Sequence, residues 1–168
     1  MKKIIMASAL LALGMASAGA QTPQPADWTV LNFTADTNKS ADVTWDRIGG
    51  HDWCGIAKFL DLGSCTILSG TGELGSLRQV QVGPNKIIEI AVARTAHSYT
   101  YAQPFTPIFY HGTMSVEPVD ATHSKIVYTL MWNQTAVGDA AAQKAAHDSR
   151  QMRFQAAVDK MAAAANAP

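Results

Sequence analysis

Between Ser64 and Gln134 the sequence breaks into six short segments, each ended by a turn signal. The segments are "SCTILSG", "SLRQVQV", "KIIEIAVA", "HSYTYAQ", "YHGTMSVEPV" and "SKIVYTLMWN", separated by "GTGELG", "GPN", "TA", "PFTP" and "VDATH". Short runs of this kind, bounded by Gly, Pro, Asn and Asp, read as strands. Connections so short cannot carry a parallel crossover, so successive strands must be antiparallel neighbours. Such a sheet has one face to bury, and the rest of the chain must supply the cover.

The cover is a long helix after Gln134, predicted from an Asp139 N-cap to about Ala164. His147, Phe154, Val158 and Met161 form one stripe on it, with Lys144, Arg150 and Arg153 mainly off that stripe. Upstream, "DWTVLNFTAD" alternates Trp28, Val30 and Asn32 against Thr29, Leu31 and Phe33, which predicts a seventh strand. Two short helices follow it. Ala41, Trp45 and Ile48 mark the first, capped by Asn38 or Ser40 and stopped by Gly49-Gly50. Trp53, Ile56, Ala57 and Leu60 mark the second, capped by Asp52 and ended by Gly63. The predicted class is α+β: a seven-stranded antiparallel sheet with the long C-terminal helix as its lid. The alanines of that helix fill little space over a curved sheet and would allow a cavity, but alanine also simply favours helix.

The N-terminus, "MKKIIMASALLALGMASAGAQ", has two lysines, an apolar run and then small residues. It reads as a signal peptide over residues 1–20, cleaved after about Ala20, leaving one domain over 21–168. The apolar run is too short to span a bilayer. A short Lys-Lys leader looks bacterial, so the expected location is the periplasm or the medium. The chain holds 13 basic and 13 acidic residues, and losing the leader removes two of the basic ones. That balance gives no electrostatic reason to bind nucleic acid or an anionic membrane. Cys54 and Cys65, in an exported chain, are expected to form a disulfide rather than stay as buried thiols. No motif supports a catalytic cysteine, and His51, Cys54 and Cys65 lack a metal-ligand spacing, so neither metal nor cofactor is expected.

Gly70-x-Gly72-x-x-Gly75 has the spacing of a dinucleotide fingerprint. That motif needs a helix after it, and here a strand follows, so the glycines are read as a tight hairpin corner. In that strand Arg78 shares a face with Val80 and Val82, the side that should meet the helix. A charge on an inner face calls for a partner or a function. With Pro84-Asn85 as a two-residue turn, Val80 lies opposite Glu89 and Arg78 opposite Ala91, so Glu89 points inward, diagonal to Arg78. A three-residue turn instead points Ile88, Ile90 and Val92 inward; hydrophobicity prefers it, and periodicity leaves both open. Tyr110 falls on one face with Gly112, Met114 and Val116, and Tyr99 shares a face with Tyr101. Inward tyrosines either offer hydroxyls to a bound molecule or act as core aromatics.

Taken in order, "GTGELGSLRQV…KIIEIAVARTAHSYTYAQ…YHGTMSVEP…SKIVYTLMW" resembles the START-like, birch-pollen-allergen-like superfamily, also called SRPBCC or polyketide cyclase/dehydrase and lipid-transport domains. The resemblance runs from Trp28 to about Met161. It implies a helix-grip fold, with a curved sheet wrapping the C-terminal helix around an apolar pocket. In the superfamily's plant hormone receptors, inner-face Arg, Glu and Tyr positions line that pocket, and they look like Arg78, Glu89 and Tyr110 here. This favours the two-residue turn. Those receptors' gating loops and partner phosphatase have no counterpart here, so that role is not carried over.

Three functions are consistent with these residues. The first is a carrier or sensor of a small apolar or amphipathic molecule, its head at Arg78, Glu89, Tyr99, Tyr101 and Tyr110, its body on Val80, Met114, Phe154 and Val158. The second is a cyclase or dehydratase using Glu89 or a tyrosine as acid or base, with His147 a weaker candidate. The third is a module with a filled interior that binds no ligand. Ligand identity and any protein partner stay open at this level.

Overall fold

A computed structural model describes residues 27–168; the expected leader, 1–20, lies outside the described residues. Seven strands form one antiparallel sheet: β1 (Trp28–Thr37), β2 (Ser64–Ser69), β3 (Leu77–Val82), β4 (Asn85–Thr95), β5 (Ser98–Ala102), β6 (His111–Pro118) and β7 (Ser124–Asn133). Their order is β1-β7-β6-β5-β4-β3-β2, so each of β2 to β7 lies beside its sequence neighbour and β1 closes on β7. Register shifts at Ile67/Ser69 and Ala91/Ala93 bend β2 and β4, as bulges do, and help the sheet to curve.

Helix α1 (Ala41–Ile48) starts at Ser40, whose Oγ accepts the Val43 N–H, and stops at Gly49 in the left-handed conformation. A hydroxyl triangle joins it to the sheet: Thr37 to Ser124 at 2.7 Å, with Thr44 at 2.9 Å from each. These three buried polar side chains therefore satisfy one another across β1, α1 and β7. The second predicted helix is instead a short 3-10 segment, Gly55–Phe59. Asp52 accepts the Cys54 N–H at 2.8 Å, and the Cys54–Cys65 disulfide fastens this point to β2. So short a tethered stretch closes on i+3 bonds more readily than on an α-helix. Trp53, Ile56, Ala57 and Leu60 still face the core.

The glycine-rich stretch is a corner between β2 and β3. Gly72 has φ +109°, and its N–H donates to Ser76 Oγ at 3.0 Å while its carbonyl accepts from Arg94 at 3.0 Å. Arg94 also reaches the His51 carbonyl at 2.8 Å, tying this corner to the loop that follows α1.

The long helix α2 (Ala140–Asn166), capped by Asp139, crosses the concave face. Its C-terminal half packs closely. Phe154, Ala157, Val158, Met161, Ala162 and Ala165 are buried against β1, β7 and α1. Phe154 stacks on Phe33 at 5.9 Å and meets Tyr128 edge-on at 5.1 Å. The alanines bring this half of the helix close to the sheet, whereas no residue between Ala140 and Arg153 is fully buried. The lid is tight at one end and loose at the other.

Candidate functional site

The β3–β4 hairpin sets the chemistry of the interior. Its turn is Gly83-Pro84, not Pro84-Asn85, and Arg78 stands directly opposite Glu89 rather than diagonal to it. Gly83, at φ +57°, supplies the positive angle that the first central position of such a turn needs, and Pro84 follows where no N–H is required. This register is two residues away from the one expected, so side-chain parity is unchanged and Glu89 points inward. The register that would have buried Ile88, Ile90 and Val92 is not formed; Val92 is exposed.

Arg78 and Glu89 are both buried, 3% and 4% exposed. Glu89 Oε2 lies 2.7 Å from Arg78 Nε and 2.7 Å from Nη2, while Oε1 accepts from Gln103 Nε2 at 2.9 Å. Arg78 Nη1 donates to the Trp53 carbonyl, and the guanidinium lies over the Trp53 ring at 4.1 Å. Tyr101 and Tyr99 flank it at 5.1 and 5.5 Å. The disulfide next to Trp53 thus holds one wall of the arginine's cage. A buried ion pair of this kind is tolerated because most of its hydrogen-bonding capacity is met.

Above this floor is a cavity of about 180 Å³, partly open to solvent. Buried Arg78, Glu89, Tyr99, Tyr101, Gln103 and Tyr110 line its deep part, with Val80 and Ala57 beside them. Half-buried Leu62, Val82, Ile87, Ile108, Arg150 and Arg153 mark its mouth. The loose end of α2, the β3–β4 turn and the β5–β6 connection meet there.

Of the residues predicted for a ligand, Arg78, Val80, Glu89, Tyr99, Tyr101, Tyr110 and Phe154 line the cavity. Met114 and Val158 do not; both are fully buried in the hydrophobic core. His147 is also outside the cavity, part-exposed and 3.3 Å from Asp148. His51 pairs with Asp46 at 2.8 Å, and the two cysteines pair with each other.

Gln103, Arg150 and Arg153 are lining residues that the sequence reading passed over. Gln103 continues the inward alternation of Tyr99 and Tyr101. Arg150 precedes Phe154 by one i,i+4 step and so faces the same way. Its guanidinium lies 4.7 Å from the Trp132 ring and 5.6 Å from Tyr110, while Arg153 lies 5.0 Å from Phe154.

Burial pushes Tyr99, Tyr101, Tyr110 and Tyr128 above the ordinary tyrosine value, so all four are neutral hydroxyls at pH 7. Tyr101 and Tyr128 share a hydrogen bond of 3.0 Å, whereas the Tyr110 hydroxyl has no partner among the described residues. Burial pulls Arg150 below its ordinary value, and Arg153 adds to that while Tyr110 opposes it.

No family model matches the sequence, and no curated protein matches it. Solved structures do. The Zhui aromatase/cyclase from a Streptomyces species superposes with a TM-score of 0.64 at 16% identity, over 82% of this chain and 93% of that one. Truncated norcoclaurine synthase from Thalictrum flavum gives 0.60 at 17% identity, over 82% and 92%. A Thermobifida fusca protein gives 0.61 at 16%, over 83% and 97%. At such identities the likeness speaks to architecture. A curved seven-stranded sheet gripping one long C-terminal helix, shared along nearly the whole length of these proteins, shows that this chain has a helix-grip fold.

Proposed function

We propose that this chain is an exported protein that binds a small, mostly apolar molecule in the cavity between the sheet and α2. The cavity itself carries the reading: apolar and aromatic walls with a few convergent polar groups are the usual make-up of a small-molecule site. Its size limits the guest. An apolar cavity of about 150 Å³ accommodates benzene, so about 180 Å³ suits one ring or a compact pair of rings. A longer chain would have to leave through the mouth. The leader-like N-terminus and the disulfide support export.

The alternative, a cyclase or dehydratase, draws on the names of the structural neighbours. Acid–base catalysis needs a group free to move a proton. Both oxygens of Glu89 are already engaged by Arg78 and Gln103, which favours binding over turnover. Native mass spectrometry of the protein purified without denaturation from its own source tests the proposal. A non-covalent adduct that leaves on denaturation is the expected result; an unliganded mass, with no small aromatic probe taken up, would contradict it.

A further inference from the structure

The cavity is not electrically neutral. Its charged lining is Arg78, Glu89, Arg150 and Arg153, and the first two cancel as an ion pair. Neither Arg150 nor Arg153 has a carboxylate within ion-pair distance among the described residues. Residues 1–26, outside the described part, contain no Asp or Glu that could supply one. Arg150 Nη1 donates to the Ala146 carbonyl of its own helix at 3.0 Å, and the buried Nε atoms of Arg150 and Arg153 have no acceptor. Two like charges at i,i+3 on one helix face repel each other. The Arg150 guanidinium lies over Trp132 and Tyr110 and that of Arg153 over Phe154, and among the described residues neither Arg150 Nη2 nor the Arg153 Nη nitrogens donate a hydrogen bond, so these are the groups open to a ligand. Tyr110, whose buried hydroxyl has no partner among the described residues, lines the same cavity.

We propose that the guest is a small aromatic carboxylate, its carboxylate gripped at the mouth by Arg150 and Arg153, its ring lying inward over Arg78 and Tyr101. This rests on the cavity being a ligand site, and it moves the polar head from Arg78, already neutralised, to the helix. Guanidinium groups suit a carboxylate because they offer paired N–H donors in one plane. Part-burial strengthens that attraction relative to water.

The test is calorimetric titration of the disulfide-intact protein at pH 7 with benzoate and 2-naphthoate against benzamide and 2-naphthamide, neutral probes of nearly equal shape. The carboxylates should bind at least about tenfold tighter (about 1.4 kcal/mol), with a preference that shrinks as salt rises. Arg150→Gln/Arg153→Gln should abolish the preference and leave amide affinity in place, and Arg150→Lys/Arg153→Lys should keep part of it. Should the glutamine variant not fold, the wild-type ratio and the lysine variant decide. Equal binding of acids and amides, or a preference that survives the glutamine pair, would overturn the anion assignment while leaving the cavity as a site. Binding of none of the four probes would overturn the site and the assignment together.

Discussion

Arg78 and Glu89 face each other across the β3–β4 ladder, and one carboxylate oxygen, Oε2, sits 2.7 Å from two guanidinium nitrogens. With both side chains buried, removing one partner leaves a charge with no counter-ion in a poorly solvated interior. Glu89→Gln alone should therefore cost about 3–5 kcal/mol. Arg78→Met/Glu89→Gln removes both charges and keeps an acceptor for Gln103, so it should be more stable than Glu89→Gln alone. A double-mutant cycle from urea unfolding measures this, and additive losses would show that the pair is not coupled.

All four tyrosines of the chain are buried and shifted upward. In the unfolded chain they titrate near about pH 10. Above that value the native state keeps protons that the unfolded state gives up, so stability is intact below about pH 10 and falls as pH rises past it. An alkaline titration followed by tyrosinate absorbance and circular dichroism should show both signals changing together. A tyrosine ionising near pH 10 in the folded protein would contradict the packing described.

The disulfide joins Cys54 to Cys65, eleven residues away, with Trp53 on one side of it and β3 on the other. Reduction should cost roughly 3 kcal/mol from loop entropy, and it should loosen Trp53 from Arg78, seen as a red shift of tryptophan emission. Protein denatured without reductant should give no free thiol. Two titratable thiols at that stage would rule the bridge out.

Gly112 lies beneath the Tyr101 ring, where a Cβ would run into Cζ and Oη. That ring can give way only towards the cavity it lines, at the cost of its bond to Tyr128. Gly112→Ala should destabilise by about 1–3 kcal/mol, and the loss should largely vanish in a Tyr101→Leu background. Thermal or chemical unfolding of the four proteins in the cycle decides it. A penalty undiminished by the smaller side chain would place the strain elsewhere.

The sheet could be read from sequence because each strand repeats with period two and stops at turn residues, from Ser64 to Asn133. Arg78 was legible as inward because Val80 shares its face. Its pairing was less so, since a shift of two residues preserves every face and only the φ of Gly83 selects between the registers. Periodicity cannot separate a residue that lines a space from one that fills it, which is why Met114 and Val158 looked like pocket residues. Arg150 and Arg153 were missed for a related reason. A stripe drawn through His147 and apolar neighbours assigns arginines to solvent, and nothing local shows that this half of the helix stands over a gap.

On the proposed function, the space beneath the N-terminal half of α2 holds a guest. A crystal structure of the protein grown with 2-naphthoate tests it most directly. Density for the bicyclic ring is expected between Tyr101 and Phe154, with Arg78 still paired to Glu89 beneath it. A space closed by Leu60, Leu62 and Phe154, or a probe found only on the outer surface, would contradict it.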